Sequence, residues 1–254
     1  MREKLKKGWR ILIRAGIGAA VFMVLYTVYC VFAVPGLCNL GKANPKTTEF
    51  QEMRKRQWAQ KKLKRKIVQY WVPLSAISPY LKNAVVSAED PNFYNHHGLD
   101  FYQIRLSMQE NWEEKRIVRG ASTITQQLMK NLYLSPAQNP LRKWKEAILA
   151  LRVERCVRKN RLLEIYLNVI EWGESTYGIE AASRRYFAKP ASALDPAEAA
   201  LLAAMIPNPV ARNPYQWNPR LQRKKGIILK LMLRGGMISQ RQYIDALNEK
   251  IKLR

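Results

Sequence analysis

A run of 23 residues without a charged side chain, from Ala15 to Leu37, constrains this chain more than any other feature. As a helix it would be about 35 Å long at about 1.5 Å per residue, enough to cross a hydrocarbon core of about 30 Å. The alternative is a cleaved signal peptide, but the apolar core of such a peptide is about 7–15 residues long, and no Ala-x-Ala site follows the run. The run therefore predicts a retained transmembrane anchor over residues 15–37.

The chain is also strongly basic. Its 254 residues carry 44 Lys and Arg against 19 Asp and Glu, a formal net charge of +25, which indicates nucleic acid or a lipid surface as partner. Ten basic residues lie between Gly41 and Lys66, with Trp58 among them, a pattern that nucleic-acid-binding segments also use. Because this segment directly follows the anchor, we expect it to lie on anionic membrane lipids, and we expect no nucleic-acid partner.

The basic residues that flank the anchor favour one orientation weakly. Six lie in residues 1–14 and five in the 20 residues after the anchor, and the positive-inside rule places the more basic side in the cytoplasm. We therefore expect a single-pass protein of the cytoplasmic (inner) membrane. Its parts would be a basic cytoplasmic tail (1–14), an anchor (15–37), a basic juxtamembrane segment (38–76) and a periplasmic or external globular domain (77–254).

The remainder of the chain has the apolar spacing of helices. Ser122 is expected to cap a helix over Thr123–Leu134, and Asn139 with Pro140 to begin one over Leu141–Val157. No segment alternates well enough to predict a sheet, so strands are expected to be short or absent. The sequence predicts a mostly α domain, with further helices over Ile77–Ala88, Phe101–Trp112, Arg161–Ile170, Gln222–Arg234 and Gln240–Ile251.

The sequence lacks the motifs of several common kinds of enzyme. It contains no Gly-x-x-x-x-Gly-Lys-[Ser/Thr] phosphate loop, no Gly-x-Ser-x-Gly and no Ser-x-x-Lys. The two histidines, His96 and His97, are adjacent and do not face one metal ion on a regular helix, so we expect no metal site. Three cysteines are too few for a disulfide framework, although a Cys38–Cys156 bridge stays open.

Carboxylates and cations remain as candidates for chemistry. Glu89 ends a predicted helix and opens a loop, a place where active residues often lie. Glu146 follows Arg142 by four residues, so the two side chains share one helix face. With Lys130, these groups could transfer a proton and hold a leaving phosphate. Equally, Arg142 and Glu146 could form an ordinary surface pair, and Glu89 could be only a helix-end residue.

Five segments resemble the motifs of the peptidoglycan glycosyltransferases, in the order that this family has them. These enzymes form the glycan-polymerising domain of class A penicillin-binding proteins and also occur as monofunctional proteins. One such motif would be weak, whereas five in order are specific. They fall within residues 84–214 and are Glu89–Gly98 (EDPNFYNHHG), Gly120–Asn131 (GASTITQQLMKN), Arg142–Glu146 (RKWKE), Leu163–Asn168 (LEIYLN) with Tyr177-Gly178 and Ala181-Ala182, and Leu201–Pro209.

The resemblance implies a lysozyme-like, mostly helical fold and the polymerisation of lipid II. Glu89 would be the general base that takes a proton from the 4-hydroxyl of the acceptor, giving an inverted β-1,4 link and releasing undecaprenyl diphosphate. Lys130 and Arg142 would match the cations that bind the diphosphate, and Glu146 the second catalytic carboxylate. The positions that match the lining of the cleft are Phe93, His96, Ser122, Thr123, Gln127, Asn131 and Tyr166.

The resemblance also implies partners. The substrates would be lipid II and the growing glycan chain on undecaprenyl diphosphate, with Mg²⁺ considered as a cofactor but assigned to no residue. Neither Ser-x-x-Lys nor Lys-Thr-Gly occurs, so cell-wall transpeptidases are expected as partners, together with division or elongation proteins. Many family members have a cation four residues before the arginine of the third motif. Here Gln138 takes that place, and Lys143 is a candidate substitute.

Two other kinds of protein stay open at this point. A lytic transglycosylase or lysozyme-like enzyme would also use a helical domain with a catalytic glutamate, but it cleaves glycan and needs neither Lys130 nor Arg142. A non-catalytic membrane adaptor would account for the charge but leaves the five ordered segments unexplained. We therefore expect a glycan polymerase.

Overall fold

The computed structural model describes residues 2–116, 120–135, 139–216 and 218–254 of the chain. This part is mostly helical, which confirms the predicted fold class. Its elements, in chain order, are α1 (Arg2–Phe32), α2 (Glu49–Gln60), β1 (Val68–Gln69), α3 (Pro79–Glu89), α4 (Phe101–Glu113), α5 (Ile124–Tyr133), α6 (Pro140–Val153), α7 (Lys159–Val169), β2 (Glu171–Gly173), β3 (Thr176–Tyr177), α8 (Ile179–Phe187), α9 (Pro196–Met205), α10 (Pro219–Arg234) and α11 (Gln240–Asn248).

Helix α1 contains the candidate membrane span. Leu12–Phe32 is a stretch of 21 residues that is long and apolar enough to cross a membrane. The helix ends at Phe32 and not at Leu37, because Pro35 disfavours helical backbone at the residue before it and has no amide hydrogen to continue the helix. The helical span is therefore a few residues shorter at its C-terminal end than the uncharged run.

The second half of α1 lies against α6. The indole of Trp144 donates a hydrogen bond to the hydroxyl of Thr27 at 2.9 Å. Beyond the span, a Cys38–Cys156 disulfide joins the chain that follows the anchor to the chain that follows α6. Helix α6 is thus tied to the anchor near both of its ends, and this disulfide is the bridge that the sequence leaves open.

The disulfide predicts a simple thiol count. The sequence has three cysteines, of which Cys30 is free and buried. Protein isolated from an oxidising compartment and denatured without reductant is expected to react with one maleimide per chain, and with three after reduction, as measured by intact mass. Labelling of all three thiols without reductant would contradict the bridge. Closing a loop of this length is worth about 4–5 kcal/mol, so reduction should also lower the melting temperature.

The core has two parts that meet at the candidate residues. Helix α9 is buried over Ala197–Met205, and its alanines let α3 and α10 pack closely beside it. In the second part, α5 packs against α2, α6 and α7. Glu89 at the end of α3 is hydrogen-bonded to Gln127 of α5, so it lies where the two parts join.

A small sheet stands beside the helices. Its strand order is β1-β3-β2, with β1 parallel to β3 (Val68 opposite Thr176) and β2 antiparallel to β3. Strands of two or three residues are too short to show an alternation of polar and apolar side chains. This is why the sequence pattern predicts no sheet, although it allows short strands.

Several helix ends differ by a few residues from their predicted positions, and those of α5 and α6 have local causes. Thr123, not Ser122, caps α5: its hydroxyl accepts from the backbone amide of Gln126, and the Gln126 side chain accepts from the amide of Thr123, both at 3.1 Å. This reciprocal pair satisfies two amides that a Ser122 cap would leave unpaired. Asn139 caps α6 as predicted, but the helix ends at Val153, four residues early, as the chain turns toward the disulfide.

Part of the basic juxtamembrane segment is a helix packed on the domain. Helix α2 contacts α5 and buries Met53 and Trp58. Arg54 forms an ion pair with Glu171 at 2.8 Å. The division at residue 76 stays a prediction, but some of the segment's charges are used within the protein and do not face lipid.

Candidate active site

Glu89 is the last residue of α3, where the helix opens into a loop. Only 11% of its side chain is exposed. The side-chain amide of Gln127 donates to one carboxylate oxygen at 3.0 Å, and the ammonium group of Lys224 donates to the other at 3.3 Å. The carboxylate is therefore held from two sides, in a position fixed enough for it to accept a proton from a bound ligand.

A hydrogen-bond chain sets the orientation of Gln127. The hydroxyl of Tyr166 donates to Oε1 of Gln127 at 2.8 Å, which leaves the amide nitrogen to face Glu89. Burial raises the pKa of Tyr166 well above its usual range, and the charges of Glu89 and Asp90 raise it further, so the hydroxyl stays a donor. Asn131 donates to the backbone carbonyl of Gln127 at 2.8 Å and stiffens the same turn of α5.

The loop that follows Glu89 is fixed by buried contacts. Asp90 accepts hydrogen bonds from the His96 imidazole and from the backbone amide of Ile124, both at 3.0 Å, and the second bond places its charge at the N-terminus of α5. Phe93 is fully buried, with the ammonium group of Lys159 lying 4.5 Å from its ring centre. The structure thus places Phe93 and His96 behind the wall of the cleft, where they hold the loop.

Ser122 and Thr123 tie the start of α5 to its neighbours. The Thr123 hydroxyl donates to the carbonyl of Gly98 at 2.7 Å, and the Ser122 hydroxyl accepts from Lys143 at 2.8 Å. Gly98 has φ +92°, and a Cβ there would lie 2.8 Å from the backbone of Ala150, so only glycine lets the loop approach α6 this closely. The three motif segments around these residues are therefore packed into one unit.

A cluster of cations surrounds Glu146 in the first turns of α6. Lys143 forms an ion pair with the Glu146 carboxylate, and the Arg142 guanidinium lies 3.7 Å from it. Lys130 of α5 lies near the same carboxylate: burial lowers the pKa of Lys130, and the charge of Glu146 partly offsets this. Glu146 is 2% exposed, which excludes the ordinary surface pair that the sequence leaves open.

This cation cluster has the properties of an anion site. Three positive charges face one carboxylate, and the Nε of Arg142 is buried without a hydrogen-bond partner in the described part of the chain. The cluster also lies at the N-terminus of a 14-residue helix, where the helix dipole favours negative charge. A phosphate-bearing ligand would satisfy each of these features.

Cavities open on either side of Gln127. One of about 300 Å³ is lined by Glu89, Asp100, Ser122 and Thr123, among others. One of about 140 Å³ is lined by residues that include Gln127, Lys130, Asn131 and Tyr166. A third, of about 460 Å³ and largely apolar, lies beside Ser122, Lys143 and Trp144, next to the anchor. A ligand with a polar head and an apolar chain finds surfaces for both parts here.

Lys224 is a site residue that the sequence analysis misses. Its pKa is lowered by burial, an effect that the neighbouring Glu89 partly offsets. It lies in a helix with many other basic residues, so its residue type is no signal. The only signal in the sequence is helical spacing. Lys224 lies three residues after Leu221 and four before Ile228, so it shares a helix face with these two buried residues of α10.

The remaining predictions about the site concern the position of Gln138 and a metal ion. Gln138, where a family cation is missing, lies outside the described residues, whereas Lys143 belongs to the cation cluster. Among residues 2–116, 120–135, 139–216 and 218–254, no group of three or more His, Cys, Asp or Glu side chains is placed to hold a metal ion.

Known proteins resemble the chain over most of its length. Residues 55–233 match the family model described as Transglycosylase. The chain is 43% identical over 217 residues to a biosynthetic peptidoglycan transglycosylase of Azoarcus sp. (strain BH72), covering 85% of this chain and 92% of that protein. It is 40% identical over 221 residues to the protein of that name from Aromatoleum aromaticum, covering 87% and 93%. Penicillin-Binding Protein 1A from Haemophilus influenzae is a more distant structural neighbour (TM-score 0.46, 21% identity, 75% of this chain and 19% of that one). With a family match over most of its residues, the chain belongs to the transglycosylase family.

Proposed function

We propose that the cleft between α3, α5 and α6 is where this protein polymerises lipid II. The protein is a peptidoglycan glycosyltransferase, which builds glycan strands for the cell wall from lipid II and a growing chain. The observation that carries the assignment to this cleft is the hydrogen-bond chain from Tyr166 through Gln127 to Glu89, next to the cation cluster around Glu146.

Glu89 acts as the general base in this proposal. Its carboxylate takes the proton from the 4-hydroxyl of the acceptor's N-acetylglucosamine as that oxygen attacks C1 of the donor's N-acetylmuramic acid. Attack opposite the leaving diphosphate inverts C1 and forms the β-1,4 link. Gln127 and Lys224 keep the carboxylate in place through the step. A positioned base of this kind is worth about 10²–10⁴ in rate.

The cation cluster binds the leaving diphosphate. Negative charge grows on the diphosphate oxygens as the bond to C1 breaks, so fixed cations stabilise the transition state more than the ground state. Lys130 supplies a half-buried point charge, and Arg142 supplies a donor fork whose Nε has no partner among the described residues. Lys143 supplies the charge that the uncharged Gln138 does not.

Glu146 acts as the second carboxylate by ordering these cations. Its buried oxygens pair with Lys143 and lie near Arg142. Without this carboxylate the two cations would repel each other. With one carboxylate among three cations, the cluster keeps a net positive charge for the diphosphate. Each proposed step uses side chains of this chain, and Mg²⁺ is assigned to none of them.

The reaction is tested with labelled lipid II and the full-length protein in detergent. We expect polymer that a muramidase digests, formed without added glycan. A lytic enzyme would instead shorten preformed strands, and an adaptor would leave lipid II unchanged, so either of those results would contradict the proposed function.

An apolar face supports a position of the cleft at the membrane surface. Phe101, Tyr102, Met108 and Trp112 of α4 are each 67–85% exposed, and Trp144 of α6 is bonded to the membrane-spanning part of α1. Side chains this large and apolar are costly to leave in water. We infer that this side of the domain lies in the lipid interface, where both substrates are anchored.

We propose that the N-terminus is cytoplasmic and the domain lies outside the cytoplasmic membrane. The Cys38–Cys156 disulfide supports this orientation, because disulfides persist in oxidising compartments and are rare in the cytosol. An alkaline phosphatase fused after Arg254 is expected to be active, and the same reporter placed before Met1 is expected to be inactive. Activity of the N-terminal fusion alone would reverse the proposed topology.

Cross-linking of the strands falls to other proteins in this proposal. The 254 residues contain neither Ser-x-x-Lys nor Lys-Thr-Gly, so they supply no transpeptidase site. We propose cell-wall transpeptidases and division or elongation proteins as partners, since newly made strands have to reach the enzymes that join them.

A further inference from the structure

Asp100 is one of three acidic residues, with Glu89 and Asp90, that line the same cavity. It is the residue before α4 and is 3% exposed. One oxygen, Oδ1, accepts from the backbone amide of Gln103 at 2.9 Å and so caps the helix. The other oxygen, Oδ2, is buried and has no hydrogen-bond partner among the described residues. An unpaired charged acceptor at a buried position is unusual and needs an explanation.

Other buried or capping aspartates of this chain use both oxygens. Asp195, which caps α9, accepts from the amide of Glu198 with Oδ1 at 2.9 Å and pairs with Lys189 through Oδ2 at 3.3 Å. Asp90 uses both of its oxygens on His96 and also accepts from the amide of Ile124. Asp100 therefore differs from Asp90 and Asp195 in having one carboxylate oxygen without a partner.

The cap alone does not require a carboxylate. Helix α5 is capped by Thr123, α6 by Asn139, α10 by Asn218 and α11 by Ser239, each with one neutral oxygen. These residue types cap about as well as aspartate. The second oxygen of Asp100 thus adds charge and acceptor capacity to the cavity without adding to the cap.

The cavity suits a neutral ligand that is rich in hydrogen-bond donors. Its lining includes the carboxylates of Glu89 and Asp100 and the hydroxyl of Ser122, and it does not include Lys130 or Arg142. Such a lining repels a diphosphate and attracts hydroxyl or amide N–H groups.

We propose that Asp100 accepts a hydrogen bond, through Oδ2, from a hydroxyl or acetamido N–H of the sugar that binds beside Glu89. This rests on the proposed role of Glu89 as general base. Asp100 is then a substrate-binding residue that selects and orients the sugar, while the cap on α4 holds its carboxylate still. The sugar's donor then pairs Oδ2, which no described residue pairs.

The test is Asp100→Asn in the full-length protein. An amide has one carbonyl oxygen, so asparagine keeps the cap but turns an NH₂ toward the position of Oδ2. Loss of one hydrogen bond to a charged group predicts a fall in kcat/KM for lipid II of about ten- to one-hundred-fold, mainly through KM. Circular dichroism and the melting temperature should stay close to the wild-type values.

Asp100→Ser is the second variant, because serine is a good cap without any second oxygen. It should show the same rise in KM, so the conclusion does not depend on one variant folding well. Asp195→Asn is the matched control, since it changes a capping aspartate outside the cavity and should leave KM unchanged.

The outcomes separate cleanly. Wild-type KM in both folded Asp100 variants would make Asp100 a helix cap only and overturn the proposal. Failure of the wild-type protein to polymerise lipid II, or full activity of Glu89→Gln, would overturn the proposed function on which it rests. Those two results are measured on the wild-type protein and on Glu89→Gln. They are therefore distinguishable from a wild-type KM in the Asp100 variants.

Discussion

Glu89→Gln is expected to slow lipid II polymerisation by about 10²–10⁴-fold while leaving the protein folded. Glutamine has the size of glutamate and keeps an oxygen that accepts from Gln127, so the end of α3 should not move. It cannot take the proton of the acceptor hydroxyl. The measurement is the initial rate of polymer formation from labelled lipid II, with circular dichroism of the same preparation.

The control for Glu89→Gln is Glu113→Gln. Glu113 lies at the exposed end of α4, where its carboxylate accepts from Gln109 at 2.9 Å. The same chemical change at this position should leave the rate within about two-fold, because surface substitutions have small effects. If folded Glu89→Gln protein polymerises lipid II as fast as the control, then Glu89 is not the base.

Lys130→Met is expected to lower kcat by about 10²–10³-fold, the usual cost of removing one donor to developing charge. Methionine keeps the apolar stem that packs in the half-buried position and removes only the charge. The remaining cations, Arg142 and Lys143, still face Glu146. Because the lost interaction strengthens in the transition state, kcat should fall more than KM rises, as steady-state rates at varied lipid II will show.

Lys225→Met is the matched control for Lys130→Met. Burial lowers the pKa of both lysines, but the ammonium of Lys225 donates to the backbone carbonyl of Ala246 at 3.1 Å, between α10 and α11. We expect this change to lower the melting temperature and to spare kcat. An equal loss of kcat in the two folded variants would mean that Lys130 acts through stability and not on the diphosphate.

Local patterns predict the helices because the forces that form them act over a few residues. The structure has helices at the uncharged run, at the Asn139-Pro140 start and at the apolar spacing of α3 and α4. Each of these patterns is read from residues that are close together in the chain. Where a helix end differs from its predicted position, neighbouring residues compete for the same role. Thr123 outcompetes Ser122 as a cap because Gln126 reciprocates, and Pro35 ends the span before Leu37.

Residue types and motif order pointed to Glu89, Glu146, Lys130 and Arg142, but their surroundings were not readable. Nothing in the pattern says that Glu146 is buried among cations, or that Phe93 and His96 lie behind the wall of the cleft. The sequence equally allowed an exposed Arg142–Glu146 pair. Burial depends on which helix faces meet, and that depends on the packing of the whole domain.

The sequence by itself determined the long apolar helix at the N-terminus, the helical class, the family and the candidate residues for the chemistry. Only the tertiary structure decided which groups hold Glu89, which cations share Glu146, that Cys38 meets Cys156 and that Asp100 has a spare oxygen. The physical reason is separation along the chain. Gln127 lies 38 residues from Glu89, Lys224 lies 135 residues from it, and the two cysteines are 118 apart. Contacts over such distances form only when helices that fold locally pack against one another, and no local pattern records which side chains then meet.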